Sequence, residues 1–147
     1  MKASTLRRLM NIWPPYLAAG IRVREISADY RYARVDLRLG LLNRNYVGVH
    51  FGGSLFAMAD PFYMLLYLKN MGPDYVVWDR AGQIEFLRPG RGTVTAEFRI
   101  SEHDIERARR ETADGQRFLV DHDVAIRARD GELVARVRRT VYFKQKP

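Results

Sequence analysis

The chain has 147 residues, the size of one ordinary domain, and its 47% apolar and 29% charged content is that of a folded protein rather than a disordered one. The absence of cysteine excludes disulfides, thiolate metal sites and cysteine nucleophiles, and the three histidines (His50, His103, His122) lack zinc-ligand spacing, so no metal and no cofactor is expected. The net charge of +8, carried by arginine at 21 of the 25 basic positions, favours phosphate-bearing partners without saying which.

Residues 1–15 read as a short amphipathic helix. Leu6, Leu9, Met10 and Trp13 fall at i, i+3, i+4 and i+7, Ser4 or Thr5 stands where a cap belongs, and Pro14-Pro15 stops it. The stretch lacks the continuous apolar run of a secretory signal, so the expected location is cytoplasmic. The helix is read as lying over the domain's own core rather than on a membrane surface.

Residues 21–28 and 30–39 form two strand-like runs with a break at Asp29. Ala33, Val35, Leu37 and Leu39 alternate with Arg34, Asp36 and Arg38, the period of a half-buried strand. Residues 51–71 are apolar nearly to the length of a membrane span, but Asp60-Pro61 stands at the centre. A carboxylate at mid-membrane costs roughly 3 kcal/mol, and the proline breaks the backbone ladder there. The expectation is a buried central helix over residues 53–70.

A longer strand is predicted over residues 75–87, closed by the turn Arg88-Pro89-Gly90-Arg91-Gly92. Residues 93–100 alternate again. The charged segment 101–114 reads as a loop with at most a helical turn. Residues 118–128 and 132–143 make a final hairpin joined at Asp130-Gly131. No repeat, low-complexity tract or linker divides the chain, so residues 1–147 are read as one α+β domain. A sheet of five or six mostly antiparallel strands covers the single long helix.

On these strands Arg22, Arg24, Arg34, Arg38, Arg127, Arg129, Arg136 and Arg138 share the outward face. An antiparallel sheet with one wet face needs polar residues there. A nucleic-acid surface would interleave aromatics among the arginines, and the outward partners are mostly Asp, Glu, Thr and Ala.

Most candidate site residues lie within residues 43–60. Gly52-Gly53 opens the central helix, which leaves backbone N–H groups free for an anion or a developing oxyanion, or simply makes a glycine-rich helix start. Asp60 lies two turns after Gly53. Inside an apolar helix it is either a functional carboxylate or the cap of a segment restarted by Pro61. His50 is a candidate base or donor and Asn45 a candidate for orienting a carbonyl or water, although both residue types also serve as structural groups in loops. His122 and Arg139 fall on the inward series of their strands, either to pair with Asp60 or Glu85 or to lie at the sheet's rim. His103 reads as solvated.

The set Asn45, Gly52-Gly53, Leu55-Phe56-Ala57-Met58-Ala59-Asp60 and Ile84-Glu85-Phe86-Leu87-Arg88-Pro89-Gly90 resembles the hotdog-fold acyl-CoA thioesterases of the phenylacetate-degradation type. It looks closest to an uncharacterised branch of that superfamily. The resemblance covers roughly residues 20 to 145. It implies a hotdog fold, a curved antiparallel sheet around a central helix, with two subunits pairing sheets edge to edge and active sites at their interface.

Carried over residue by residue, the resemblance makes Asp60 the nucleophile or general base. The Gly53 N–H would polarise the thioester carbonyl, and Asn45 would orient the thioester or the water, with His50 nearby. Gly52, Ser54, Arg88 and Arg91 would bind substrate, the arginines through coenzyme A phosphates. The related enzymes usually carry His directly before Gly-Gly, where Phe51 stands here, and a small hydroxylic residue where Pro61 stands. The expected function is hydrolysis of an acyl thioester, acyl-CoA above all, by a homodimer that pairs further into a tetramer or does not. A non-catalytic binder of acyl-CoA or an acyl carrier, and a basic nucleic-acid-binding domain, are the alternatives.

Overall fold

A computed structural model describes all 147 residues. Six strands form one antiparallel sheet: β1 (Ile21–Ile26), β2 (Tyr32–Arg38), β3 (Tyr75–Phe86), β4 (Thr93–Arg99), β5 (Phe118–Ala128) and β6 (Leu133–Gln145). Their spatial order is β1-β2-β4-β5-β6-β3, so β1 and β3 are the two edges. The alternation read from the sequence is observed with one exception: Ala33, Val35 and Leu37 on β2 are fully buried and Arg34 and Arg38 exposed, but Asp36 is also buried, under its bonds from Arg24 and Thr95.

The central helix crosses the concave face. It is the hotdog arrangement, but the helix over 53–70 is not continuous. It runs as α3 (Gly52–Ala57) and α4 (Phe62–Met71), interrupted at residues 58–61 around a cis Asp60–Pro61 bond. A proline ring has no N–H to give the ladder and clashes with the preceding turn, so the helix stops and restarts. On α4, Phe62, Leu66 and Tyr67 are almost fully buried, each contributing about 1.5–3 kcal/mol by leaving water. Phe62 stacks on Phe98 of β4 with ring centroids 4.8 Å apart. No helix is long and apolar enough to cross a membrane.

Two further expectations need correction. The N-terminal helix does not span residues 1–15: α1 (Ala3–Ile12) ends before the prolines, and Pro14-Pro15 start a second helix, α2 (Pro14–Ala19). Proline's missing N–H is harmless in a first turn, so the pair breaks one helix and opens the next. The α1 N-cap is Lys2, with no side-chain cap from Ser4 or Thr5. The segment 101–114 is also more than a loop. It forms α5 (Glu102–Glu111), held by a capping box in which the Ser101 side chain accepts from the Asp104 N–H while Asp104 accepts from the Ser101 N–H.

The register across β5, β6 and β3 positions the site. On β6, Ala135, Val137, Arg139, Val141 and Phe143 point inward and are buried. Arg139 lies opposite His122 on β5 and Gly82 on β3. A bulge between Asp79 and Ala81 shifts the phase of β3, so that Asp79 and Gly82 both face inward.

Candidate active site

Asp60 stands in the helix break with its side chain 54% exposed, and its carboxylate lies 3.4 Å from the buried guanidinium of Arg139. It does not cap α4, whose N-cap is Pro61 with no side-chain hydrogen bond. Arg139 also donates to Asp79 at 2.9 Å and lies over the Phe56 ring at 5.5 Å. Burial pushes the Asp79 carboxyl above its usual range, opposed by the Arg139 charge. Gly82 makes this packing possible: a Cβ there would meet Arg139 Nη1 and the Phe56 ring, each at 2.8 Å. From the other side, the buried Tyr16 hydroxyl of α2 donates to the Asp60 carbonyl.

A second group of candidates surrounds the start of α3. A cleft of about 420 Å³ is lined by Asn45, His50, Gly52, Phe86 and Arg88, among others. The Gly52 and Gly53 N–H groups donate to no acceptor within the chain, as expected for the first turn of a helix. Both glycines lie under rings. A Cβ on Gly52 would meet Phe86 at 2.9 Å, and one on Gly53 would meet Phe51 at 2.5 Å. Ser54 is turned inward and buried.

The polar residues of the cleft wall are engaged locally. Asn45 Oδ1 accepts from the N–H groups of Val47 and Val49 at 3.2 and 3.1 Å, closing the loop before α3. His50 is buried and donates from Nε2 to the Gly92 carbonyl at 2.9 Å, which leaves Nδ1 buried without a partner. Burial lowers its pKa, and the Gly92 hydrogen bond opposes that only in part. Arg88 is ion-paired with Glu132, whereas Arg91 is exposed on the turn that closes β3.

The structure therefore brings Asn45, His50, Gly52 and Arg88 into one cleft. Asp60 lies elsewhere in the same protomer. Asp60 does not line the cleft; it contacts Arg139, which packs on Gly82, while the cleft is walled by Phe86, four residues and about 13 Å along β3 from Gly82 at strand spacing. Of the inward candidates, Arg139 reaches Asp60, Glu85 pairs with Arg136 instead, and His122 bonds the Tyr67 hydroxyl at 2.8 Å. Asp79, Gly82 and Tyr16 were not singled out by the sequence. For Asp79 a signal exists: it is the one carboxylate in the apolar run that opens β3.

Solved structures share the fold. The Pseudomonas aeruginosa protein PA5026, of unknown function and described as a probable thioesterase, superposes with a TM-score of 0.86 at 19% identity over 99% of this chain and 97% of that one. Thioesterase HI1161 of Haemophilus influenzae gives 0.70 at 16% identity over 99% and 92%. The Escherichia coli PaaI protein, from the phenylacetic acid degradation operon, gives 0.64 at 18% identity over 98% and 92%. The expected likeness to hotdog thioesterases thus holds for the fold. No curated protein sequence matches the chain. A family model described as a domain of unknown function, DUF4442, matches residues 2–143, and the chain belongs to that family.

Proposed function

We propose that the chain, acting as one hotdog domain and as a homodimer, hydrolyses an acyl thioester, the substrate class being acyl-CoA. The observation that carries this reading is that one chain presents both a half-exposed Asp60 carboxylate and unengaged N–H donors at Gly52 and Gly53. Thioester hydrolysis needs those two functions, a base for water and a donor for the oxyanion. The thioesterase neighbours on the same fold support the same class of chemistry.

The separation of the two groups within one protomer fits a shared site. The edge strand β3 exposes Val76, Trp78 and Phe86, an apolar edge that one protomer leaves uncovered. Antiparallel pairing of two β3 edges about Ile84 sets Gly82 of one protomer opposite Phe86 of the other. Asp60 then faces the partner's cleft. The Asp60 carboxylate takes a proton from water as the water oxygen attacks the thioester carbonyl. The Gly53 N–H holds the oxyanion, the C–S bond breaks, and the thiolate leaves with the proton returned by Asp60.

One observation favours the binder alternative. Phe51 stands where related enzymes carry His, and its ring lies against Gly53. Free-thiol release from acyl-CoAs of increasing chain length, on wild type and Asp60→Asn, separates the two readings. Release that collapses in the folded variant supports hydrolysis. Ligand-dependent stabilisation without turnover supports the binder.

A further inference from the structure

The outer face of the sheet carries a second pocket, behind the turn that walls the cleft. It measures about 390 Å³ and is lined by Arg24, Arg38, Gly92, Thr93 and Arg129, with no apolar side chain and no carboxylate. Arg38 lies opposite Thr93, and Val94 opposite Ala128, so Arg38, Thr93 and Arg129 form one row across β2, β4 and the end of β5.

The charge of this face is not evenly compensated. Arg136, Arg138 and Arg99 are each paired with a carboxylate: Glu85, Asp123 and Glu97. Arg38 and Arg129 have no such partner. Arg24 gives only Nε to Asp36, whose other oxygen already accepts from Thr95. Three guanidiniums from separate segments, Arg38 and Arg129 without a carboxylate partner and Arg24 with its terminal nitrogens free, therefore converge on a hollow with a hydroxyl, a combination that suits phosphate oxygens. No aromatic side chain lines the hollow for base stacking, which favours a small phosphorylated ligand over a nucleic acid strand.

Gly92 connects this pocket to the cleft. It lines the pocket, and its carbonyl accepts from His50 Nε2, a residue of the cleft wall. We infer that the pocket holds the phosphates at the nucleotide end of the coenzyme A thioester, an inference that rests on the acyl-CoA reading above. The ligand's nucleotide then lies on the outer face while its thioester reaches the cleft around the Gly90–Gly92 turn.

The test is calorimetric titration with adenosine 3′,5′-bisphosphate, which contains no thioester, on wild type, Arg38→Ala/Arg129→Ala and Arg138→Ala. The expected result is binding to wild type, at least tenfold weaker in the double variant and unchanged in Arg138→Ala. The wild type's lower KM for acyl-CoA than for the matching acyl-pantetheine is expected to vanish in the double variant. Equal binding by all three proteins overturns the inference, as does bisphosphate binding no tighter than that of inorganic phosphate. Binding of duplex DNA lost in the double variant, with none of the bisphosphate, overturns it in favour of nucleic acid. If the bisphosphate binds as expected but no acyl-CoA is hydrolysed, the phosphate site stands and the hydrolase reading falls.

Discussion

The Tyr16 hydroxyl donates to the backbone carbonyl of Asp60, which ties the second N-terminal helix to the break in the central one. The Tyr16 ring is buried between Trp13 and Phe62, at centroid distances of 5.2 and 6.4 Å. Burial, with the nearby Asp60 charge, pushes its phenol far above the usual range, so it remains a donor throughout physiological pH. Tyr16→Phe keeps the ring and removes only the hydrogen bond. The expected loss is about 1 kcal/mol in urea unfolding, since a part-buried carbonyl loses its donor. Because the bond sets the backbone at the proposed base, kcat is expected to fall several-fold with KM unchanged. An unchanged kcat would leave α2 a packing element only.

Gly82 faces Arg139 and Phe56 at distances no real Cβ tolerates. The other terminal nitrogen of Arg139, Nη2, lies against the Asp60 and Asp79 carboxylates and fixes the guanidinium, and Phe56 is packed against the core, so neither yields freely. Gly82→Ala is expected to displace Arg139 from Asp60 and to destabilise the fold by about 1–3 kcal/mol. Thermal unfolding measures the second effect, and the pH profile of hydrolysis the first. A variant with unchanged stability and profile would remove Arg139 from the site.

The strands were legible because their apolar residues alternate on β2 and β4, Asp36 alone being buried among the polar ones, and Asp130-Gly131 fixes the last turn. The helix α5 was hidden by its charge: it buries only Ile105 and Ala108, and its capping box uses Asp104 where Glu is the usual third-position signal. The break in the central helix was half legible, since Pro61 announces a kink but not where the chain resumes. Gly82 was missed because the bulge beside Arg80 shifts the β3 phase, which an alternation count from Val77 does not reveal, whereas Asp79 lies before the bulge and in phase with Val77. Gly53 and Asp60 were named, yet seven residues of helix put them on one face only if the helix continues. Once it breaks, that spacing no longer places them on one face.

Acid stability follows from two histidines. Burial is the first cause of the lowered pKa of both His50 and His122, so their folded values lie below the ordinary 6.5. A depressed histidine contributes stability that is fully present above the unfolded pKa and is lost as pH falls from there through the folded value. Asp29, Asp104 and Asp123 are also lowered, but their contribution is lost only from about 3.8 downward. Between pH 7.5 and 5 the urea midpoint of the wild type is therefore expected to fall. His50→Gln keeps a donor for the Gly92 carbonyl and cannot titrate, so it is expected to flatten that fall. An equally steep fall in the variant would mean that His50 is not the group being protonated.

A shared site predicts complementation between two inactive proteins. Asp60→Asn lacks the proposed base. Gly53→Pro lacks the proposed donor; proline's backbone is compatible with a first helical turn, as Pro14-Pro15 in α2 illustrates, and the ring it adds requires the exposed Phe51 side chain to turn aside. Each homodimer is expected to be inactive. In a heterodimer, one site combines the intact Asp60 of one protomer with the intact Gly53 of the other, while the second site carries both substitutions. After mixing through unfolding and refolding, half of the dimers are mixed and one of their two sites is whole. Activity is then expected to return to about a quarter of the wild-type value. If the two groups served one protomer alone, every site in the mixture would carry one lesion and nothing would return. Recovery therefore reports on the geometry of the site itself, since neither parent protein can supply the activity measured.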